Sequence, residues 1–330
     1  MFLMVADTQV SVEPECDLLL PPVTDENVCL PLSINVVARY WNVDLPLSEA
    51  IEIAKAYPGV DGSILIEGIE MAERHGLSAV ILHYTIGELK NAMDGGIPPI
   101  VILPGVQRTL QHASVISGYN SSEETIFHYI PHAAGDGEFQ VGVIPEKKFD
   151  ETWEEDGRIA ILISPREALS GISLPAEKIL RSARLCFESE KQNLLKRPDL
   201  AVKSLQEAIS LDGSNQSAYC LLAGILNEQN SAECTAYYDK CLKINGRSYL
   251  ACRGLGNYYL KNKQYSKADE YYTRAISINP SRYGPIYKNR GIARLEQKDN
   301  AAAKEDLEEY LKQTPGASDA SSIRAALREL

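Results

Sequence analysis

Two residues in the first half of this 330-residue chain are of types that could do covalent chemistry together. Cys29 stands in Asp25-Glu26-Asn27-Val28-Cys29-Leu30-Pro31-Leu32-Ser33, directly before apolar residues at helical spacing (Val36, Val37, Tyr40, Trp41). Pro31 suits the first turn of that helix. A thiol at a helix N-terminus has its thiolate stabilised by the helix dipole and by unpaired backbone N–H groups, which makes cysteine nucleophilic near neutral pH. Far downstream, His112 opens His112-Ala113-Ser114-Val115-Ile116-Ser117-Gly118-Tyr119, a segment that reads as a strand. An imidazole on a sheet edge facing such a thiol can take its proton, and the pair could then attack an acyl carbon.

The elements that must position these residues follow from the periodicity. Helices are predicted over 32–41, 48–57 and 63–75, the last ended by Gly76, with a turn at 59–62. The period then shortens. Strands are predicted over 77–83, 99–103, 113–119, 125–130, 139–143 and 158–164, with a helix over 86–93 between the first two. Helices first and antiparallel strands later imply an α+β domain.

The order of features is more specific than a Cys and a His. Cys-x-Pro-x-Ser precedes a helix ending Tyr40-Trp41. Gly62-Ser63 opens a helix ending His75-Gly76-Leu77, and Glu88-Leu89-Lys90 and Gly95-Gly96-Ile97-Pro98-Pro99-Ile100-Val101 follow. His112, Gly118-Tyr119, Phe149 and Trp153 complete the string. It resembles the double-glycine leader (bacteriocin-processing) peptidases and their C39-like relatives. The resemblance implies a papain-like fold over residues 21–165 after an extension over 1–20, with Cys29 as nucleophile, His112 as base, peptide-bond cleavage as the reaction and no cofactor. Leu30 stands where that family usually has Gly. The Gln that donates to the oxyanion about six residues before the nucleophile is missing, so Thr24 or Asn27 would substitute. Ile130-Pro131 stands where the family has Asp-Pro, so Asn120, His128 or Asp136 would have to orient His112. His75 and His83 read as structural, and His112, His128 and His132 do not have the spacing of a usual metal-ligand set.

The second half is periodic. Leu211-Asp212-Gly213, Ile244-Asn245-Gly246, Ile278-Asn279-Pro280 and Gln313-Thr314-Pro315 fall about 34 residues apart. Small residues (Ala201, Cys234, Ala268, Ala303) and large ones four further on (Leu205, Tyr238, Tyr272, Leu307) keep the same period, followed by Ala208, Cys241, Ala275 and, out of pattern, Tyr310. This resembles the tetratricopeptide repeat, with copies over about 182–214, 215–248, 249–282 and 284–317, a linker and first helical turns over 166–181 before them and a capping helix over 318–330. Cys234 and Cys241 read as core packing. The resemblance implies an all-α solenoid that docks a protein or peptide in a groove lined by the first helix of each copy. Arg253, Asn257 and Asn289, beside Lys288 and Arg294, match part of the family's carboxylate clamp; a basic solvated face is the other reading of the same residues.

Charge separates the halves. Residues 1–175 hold 9 Lys+Arg and 26 Asp+Glu, a charge of −17, and residues 176–330 hold 24 and 19, a charge of +5, which together give the −12 of the chain. The acidic half would repel phosphates, which argues against a nucleic-acid partner. The basic face would dock on the acidic half in cis or take an acidic peptide in trans. The seven cysteines include no Cys-x-x-Cys pair, no run reaches the ~18 apolar residues of a membrane span, and the start lacks a secretory pattern, so a cytoplasmic protein is expected. Two functions remain open: a cysteine peptidase-like hydrolase whose repeats select substrate, and a catalytically inactive relative acting as an adaptor.

Overall fold

The computed structural model describes residues 15–18, 29–46, 48–49, 52–53, 65–104, 111–130 and 140–330. They form two compact units, one running to Ala218 and the other from Tyr219 to Leu330.

The first unit is built on an antiparallel sheet. Its strands are β1 (Cys16–Asp17), β2 (Ser78–His83), β3 (Ile100–Pro104), β4 (Gln111–Asn120), β5 (Thr125–Ile130), β6 (Gln140–Pro145) and β7 (Ile159–Ser164). They lie in the order β2-β7-β3-β4-β5-β6, and β1 pairs with β4 beyond the reach of β3. The sequences explain the positions. Ile-Val-Ile-Leu-Pro in β3 and Ile-Ala-Ile-Leu-Ile-Ser in β7 are apolar on both faces, and every residue of both strands is buried in the middle of the sheet. A β-bulge between Ile116 and Gly118 shifts the β4–β5 register.

The helices of this unit are α1 (Cys29–Tyr40), α2 (Leu65–Arg74), α3 (Ile86–Asp94), α4 (Glu146–Glu154), α5 (Arg166–Leu169), α6 (Glu177–Leu194) and α7 (Pro198–Leu211). Thr85 and Glu88 form a capping box that starts α3. Leu89, Ala92 and Met93 of α3 and Phe149 and Trp153 of α4 close over Val101, Leu103, Ile116, Ala160 and Leu162 of the sheet. Helix α1 packs on β4 and β7. Its C-terminal end is pinned where β3 begins and β7 finishes: the Tyr40 hydroxyl donates to the Gly96 carbonyl at 3.0 Å and the Trp41 indole N–H to the Ile163 carbonyl at 3.0 Å.

The expected elements over 32–41, 63–75, 77–83, 86–93 and 99–103 appear with shifts of a residue or a few at their ends. Of the expected helix over 48–57, residues 48–49 and 52–53 are described and helical, and the turn at 59–62 lies outside the described residues. Strand β4 starts two residues earlier than its alternation suggested, so His112 pairs with Leu103 inside the ladder. Helix α4 and strand β1 were not legible. The segment over 166–181 holds α5 and the first turn of α6, with Pro165 and Ala176 at their N-terminal ends.

From α6 onward the chain is a series of helical hairpins: α6/α7, α8 (Gln216–Glu228) with α9 (Cys234–Ile244), α10 (Tyr249–Lys261) with α11 (Tyr265–Ile278), and α12 (Pro285–Glu296) with α13 (Asn300–Gln313), followed by α14 (Ala320–Ala326). The backbone repeats as the sequence does. Lys196, Asn230, Lys263 and Lys298, each in the turn of one hairpin, all have φ between 57° and 65°. Each is followed by the same closing bond, from Arg197, Ser231, Gln264 and Asp299 N–H to the carbonyls of Gln192, Leu226, Tyr259 and Arg294 at 2.9 Å. A helix-stopping turn that recurs at one position marks one structural unit copied along the chain.

The first hairpin belongs to the unit that holds the sheet. Arg184 of α6 makes a bidentate pair with Glu73 of α2 at 2.6 and 2.9 Å, and Lys191 reaches Glu67 and Glu70 at 2.9 Å each. Thus part of the opposite charge of the two sequence halves is joined inside one unit.

Candidate functional site

His112 is positioned by β4. In the β3–β4–β5 ladder, Leu103 faces His112, Val101 faces Ser114, and Ile116 faces His128. Successive side chains alternate, so His112, Ser114, Ile116 and His128 share one face of the sheet. The His112 ring is half-buried and makes no hydrogen bond to a described residue. Burial holds its pKa below the ordinary histidine value, so it stands neutral at pH 7, the state in which it could accept a proton.

His128 is brought to the same face. The Ser114 hydroxyl donates to the Tyr129 carbonyl at 3.0 Å and lies 3.1 Å from His128 Nδ1. A serine has one proton to give, so Nδ1 carries the hydrogen of this second bond and Nε2 is left as an acceptor. Burial first, and the nearby His112 charge second, push the His128 pKa down to about 4.

The other named residues separate. The backbone of Cys29 opens α1, while its side chain lies outside the described structure, as do Thr24, Asn27, Asp136 and His132. Asn120 does not reach His112. It closes the strand that His112 opens, eight residues and about 27 Å away at ~3.4 Å per residue, and its Oδ1 accepts from Ser122 and Glu123 in the β4–β5 turn. His75 binds Glu49 at 2.7 Å and His83 binds the Gly157 carbonyl at 2.7 Å, both structural contacts.

In the second unit three of five groove candidates converge. Asn289 Nδ2 lies 3.5 Å from Asn257 Oδ1, which also accepts from the Tyr272 hydroxyl at 2.8 Å. Arg253 lies one turn before Asn257, has no acidic partner among the described residues, and stacks its guanidinium 5.0 Å from the centre of the Tyr283 ring. Lys288 and Arg294 are engaged elsewhere. Lys288 pairs with Asp319 at 2.7 Å, and Arg294 pairs with Asp269 at 3.0 Å and Asp306 at 3.1 Å. Charge and position alone suit both to a groove, but Asp269 of α11, Asp306 of α13 and Asp319 before α14 take them up.

Sequence reasoning also missed Ser114, whose strand position is unremarkable until β5 is paired with it. It missed Asp306 too, buried with Arg290 at 2.6 Å. The signal for Asp306 was its place one residue before Leu307, on the packing face of α13. Among the described residues no group of three or more His, Cys, Asp or Glu could hold a metal ion, and no helix is long and apolar enough to cross a membrane.

Comparison with known proteins bears mainly on the second unit. Residues 255–328 match the tetratricopeptide repeat family model. Anaphase-promoting complex subunit 3 of Schizosaccharomyces pombe is 33% identical over 98 residues, which are 29% of this chain and 14% of that protein, so the chain spans a small part of that relative's length. Among solved structures, PilF of Pseudomonas aeruginosa is similar with a TM-score of 0.43 and 20% identity, covering 47% of this chain and 70% of its own. A double glycine motif protease from an AMS/PCAT transporter, solved with its leader peptide, is similar with a TM-score of 0.35 and 22% identity, covering 47% of this chain and 99% of its own. The chain therefore joins an α+β unit with an antiparallel sheet to helical repeats of the tetratricopeptide type.

Proposed function

We propose that this protein is a docking protein whose repeats hold the C-terminal end of a partner polypeptide, with Arg253, Asn257 and Asn289 receiving its carboxylate. The observation that carries the reading is the state of these side chains. Arg253 has no carboxylate of its own among the described residues, although acids neutralise Arg290, Arg294 and Lys288 nearby. The two Asn side chains are aligned beside it by Tyr272. A guanidinium and two amides can give a carboxylate several charge-assisted hydrogen bonds. The test is a library of short peptides with free C-termini, compared with the same peptides amidated. Free carboxylates are expected to bind at least tenfold tighter, and Arg253→Ala should remove that difference. Equal binding of both forms would sink the reading.

The second reading is a papain-like cysteine hydrolase, related to the double-glycine peptidases, in the first unit. Supporting it is the direction of α1: its far end is pinned at the Gly96 and Ile163 end of the sheet, so the turn that begins with Cys29 runs toward the other end, where His112 pairs with Leu103. The neutral His112 ring, which makes no hydrogen bond among the described residues, suits a base. Iodoacetamide labelling of Cys29 is expected to slow at least tenfold in His112→Ala at pH 7. Labelling that ignores the change would mean an unactivated thiol and leave the docking role alone.

A further inference from the structure

Ile292 is a large apolar side chain left in water beside the carboxylate-binding residues. It is 39% exposed in the body of α12, while Ile286, Tyr287 and Ala293 of the same helix are buried. The other exposed large apolar residues of the second unit, Ile244 and Leu330, stand at the last turn of α9 and at the last residue of the chain, where a helix or the chain ends. The repeat gives Ile292 a defined place. Gly256-Asn257 precedes Ala268 as Gly291-Ile292 precedes Ala303, so the position that carries the amide of Asn257 in copy three carries an aliphatic chain in copy four. Ile292 also follows Asn289 by three residues, and side chains at that spacing are neighbours on one helix face, with Cβ atoms about 5–6 Å apart. Asn289 is the residue whose amide reaches Asn257 at 3.5 Å.

The charges around this place are already matched. Lys288 is taken by Asp319 at 2.7 Å, Arg290 by Asp306 at 2.6 Å and Arg294 by Asp269 at 3.0 Å. Glu296 follows Ile292 by four residues on the same side of the helix. Of these basic groups Arg253 alone keeps no acid among the described residues, and a main-chain carboxylate uses it. An acidic side chain on the last residue of a partner would bring a second negative charge with no unpaired cation on α12 to receive it, and would lose water in the attempt. An aliphatic side chain in the same place would bury apolar surface against Ile292.

We propose that the partner polypeptide ends in an aliphatic residue of the leucine, isoleucine or valine type whose side chain packs on Ile292, an assignment that rests on the docking role of Arg253, Asn257 and Asn289. The guanidinium and the two amides hold the terminal carboxylate, and Ile292 selects the side chain that comes with it. The pairing of Lys288, Arg290 and Arg294 within the fold then turns selection away from acidic ends, although the second half of the chain is basic.

The experiment titrates the full chain with two peptides of one sequence ending in Leu or in Asp, each with a free and an amidated C-terminus. The free-acid Leu peptide is expected to bind at least tenfold tighter than the free-acid Asp peptide. Ile292→Asp is expected to cut that preference to threefold or less, to keep the preference for free over amidated ends, and to melt as wild type does, because the side chain is already exposed. Ile292→Lys should turn the preference toward Asp. Equal binding of the Leu and Asp free acids, or a Leu preference that survives unchanged in Ile292→Asp, overturns the assignment while leaving the docking role in place. Equal binding of free and amidated peptides overturns the docking role, and the assignment with it.

Discussion

Nδ1 of His128 lies 3.1 Å from the hydroxyl of Ser114, which itself donates to the backbone of its neighbour Tyr129. This fixes the His128 ring by one nitrogen and leaves the other as an acceptor on the face that carries His112. Asn120, at the far end of the strand that carries His112, is engaged in the β4–β5 turn instead.

His128 should make stability fall with acid. Its folded pKa is about 4, below the ~6.5 of an unfolded histidine, so between these values the unfolded chain binds a proton that the folded chain refuses. Stability is complete above pH 6.5 and is lost as pH falls toward 4, by on the order of 3 kcal/mol for this group. Buried His112 and His83, also shifted down, push in the same direction. Urea unfolding at pH 7 and pH 4.5 measures this. His128→Gln should have the shallower pH dependence, and a slope equal to wild type would mean that His128 is protonated in the fold.

Two glycines of the repeats should respond to alanine with opposite signs. A Cβ on Gly256 would stand 2.6 Å from the Tyr272 ring, a packed side chain in the core, so Gly256→Ala should cost about 1–3 kcal/mol. A Cβ on Gly224, inside α8, would meet nothing within 4 Å, so Gly224→Ala should stabilise by about 0.5–1 kcal/mol as the chain loses unfolded-state freedom. Thermal melts of the two variants decide it. The same sign for both would show that the helix-pair spacing is not set by Tyr272.

What was legible differs between the units for a physical reason. A solenoid repeats one local packing problem, so Ala201, Cys234, Ala268 and Ala303 announce it in one dimension, and even the left-handed turn residues recur. The sheet is set by pairings between distant strands. Its apolar strands were readable, but the sharing of one face by Ser114 and His128 depends on the bulge after Ile116, which leaves no mark in composition. Helix α6 shows the intermediate case. Its helical period was visible, while its attachment to α2 through Arg184 and Lys191 needed Glu67, Glu70 and Glu73 to be seen on one helix face.

That attachment should weaken with salt. The pairs are about one-third exposed, so each is worth roughly 1 kcal/mol or less, with the bidentate Arg184–Glu73 pair at the upper end. Arg184→Ala with Lys191→Ala should lower stability by about 1–2 kcal/mol in 50 mM salt and by clearly less in 1 M. Chemical unfolding at the two salt concentrations is the measurement. A loss independent of salt would assign the effect to the buried stems of these side chains rather than to their charges.

The arginines of the fourth hairpin should separate folding from docking. Asp306 has a side chain 3% exposed, held by Arg290 at 2.6 and 2.9 Å and by Arg294 at 3.1 Å. Removing one arginine strands part of a buried carboxylate's hydrogen bonding, and breaking such a pair typically costs about 3–5 kcal/mol. Arg290→Ala should therefore lower the melting temperature of the repeats strongly, and Arg294→Gln by less because Arg290 remains. Neither should weaken the affinity of the folded protein for a free-carboxylate peptide, since both guanidinium groups are already turned to Asp306. Arg253→Gln should do the reverse, leaving the melting temperature within about a degree and lowering affinity at least tenfold, consistent with a group that gives up only a stacked contact on Tyr283. Melting curves beside peptide titrations on the three variants test the division. An Arg294→Gln protein that melts like wild type but binds tenfold more weakly would return Arg294 to the groove and break the assignment of Asp306 as its structural partner.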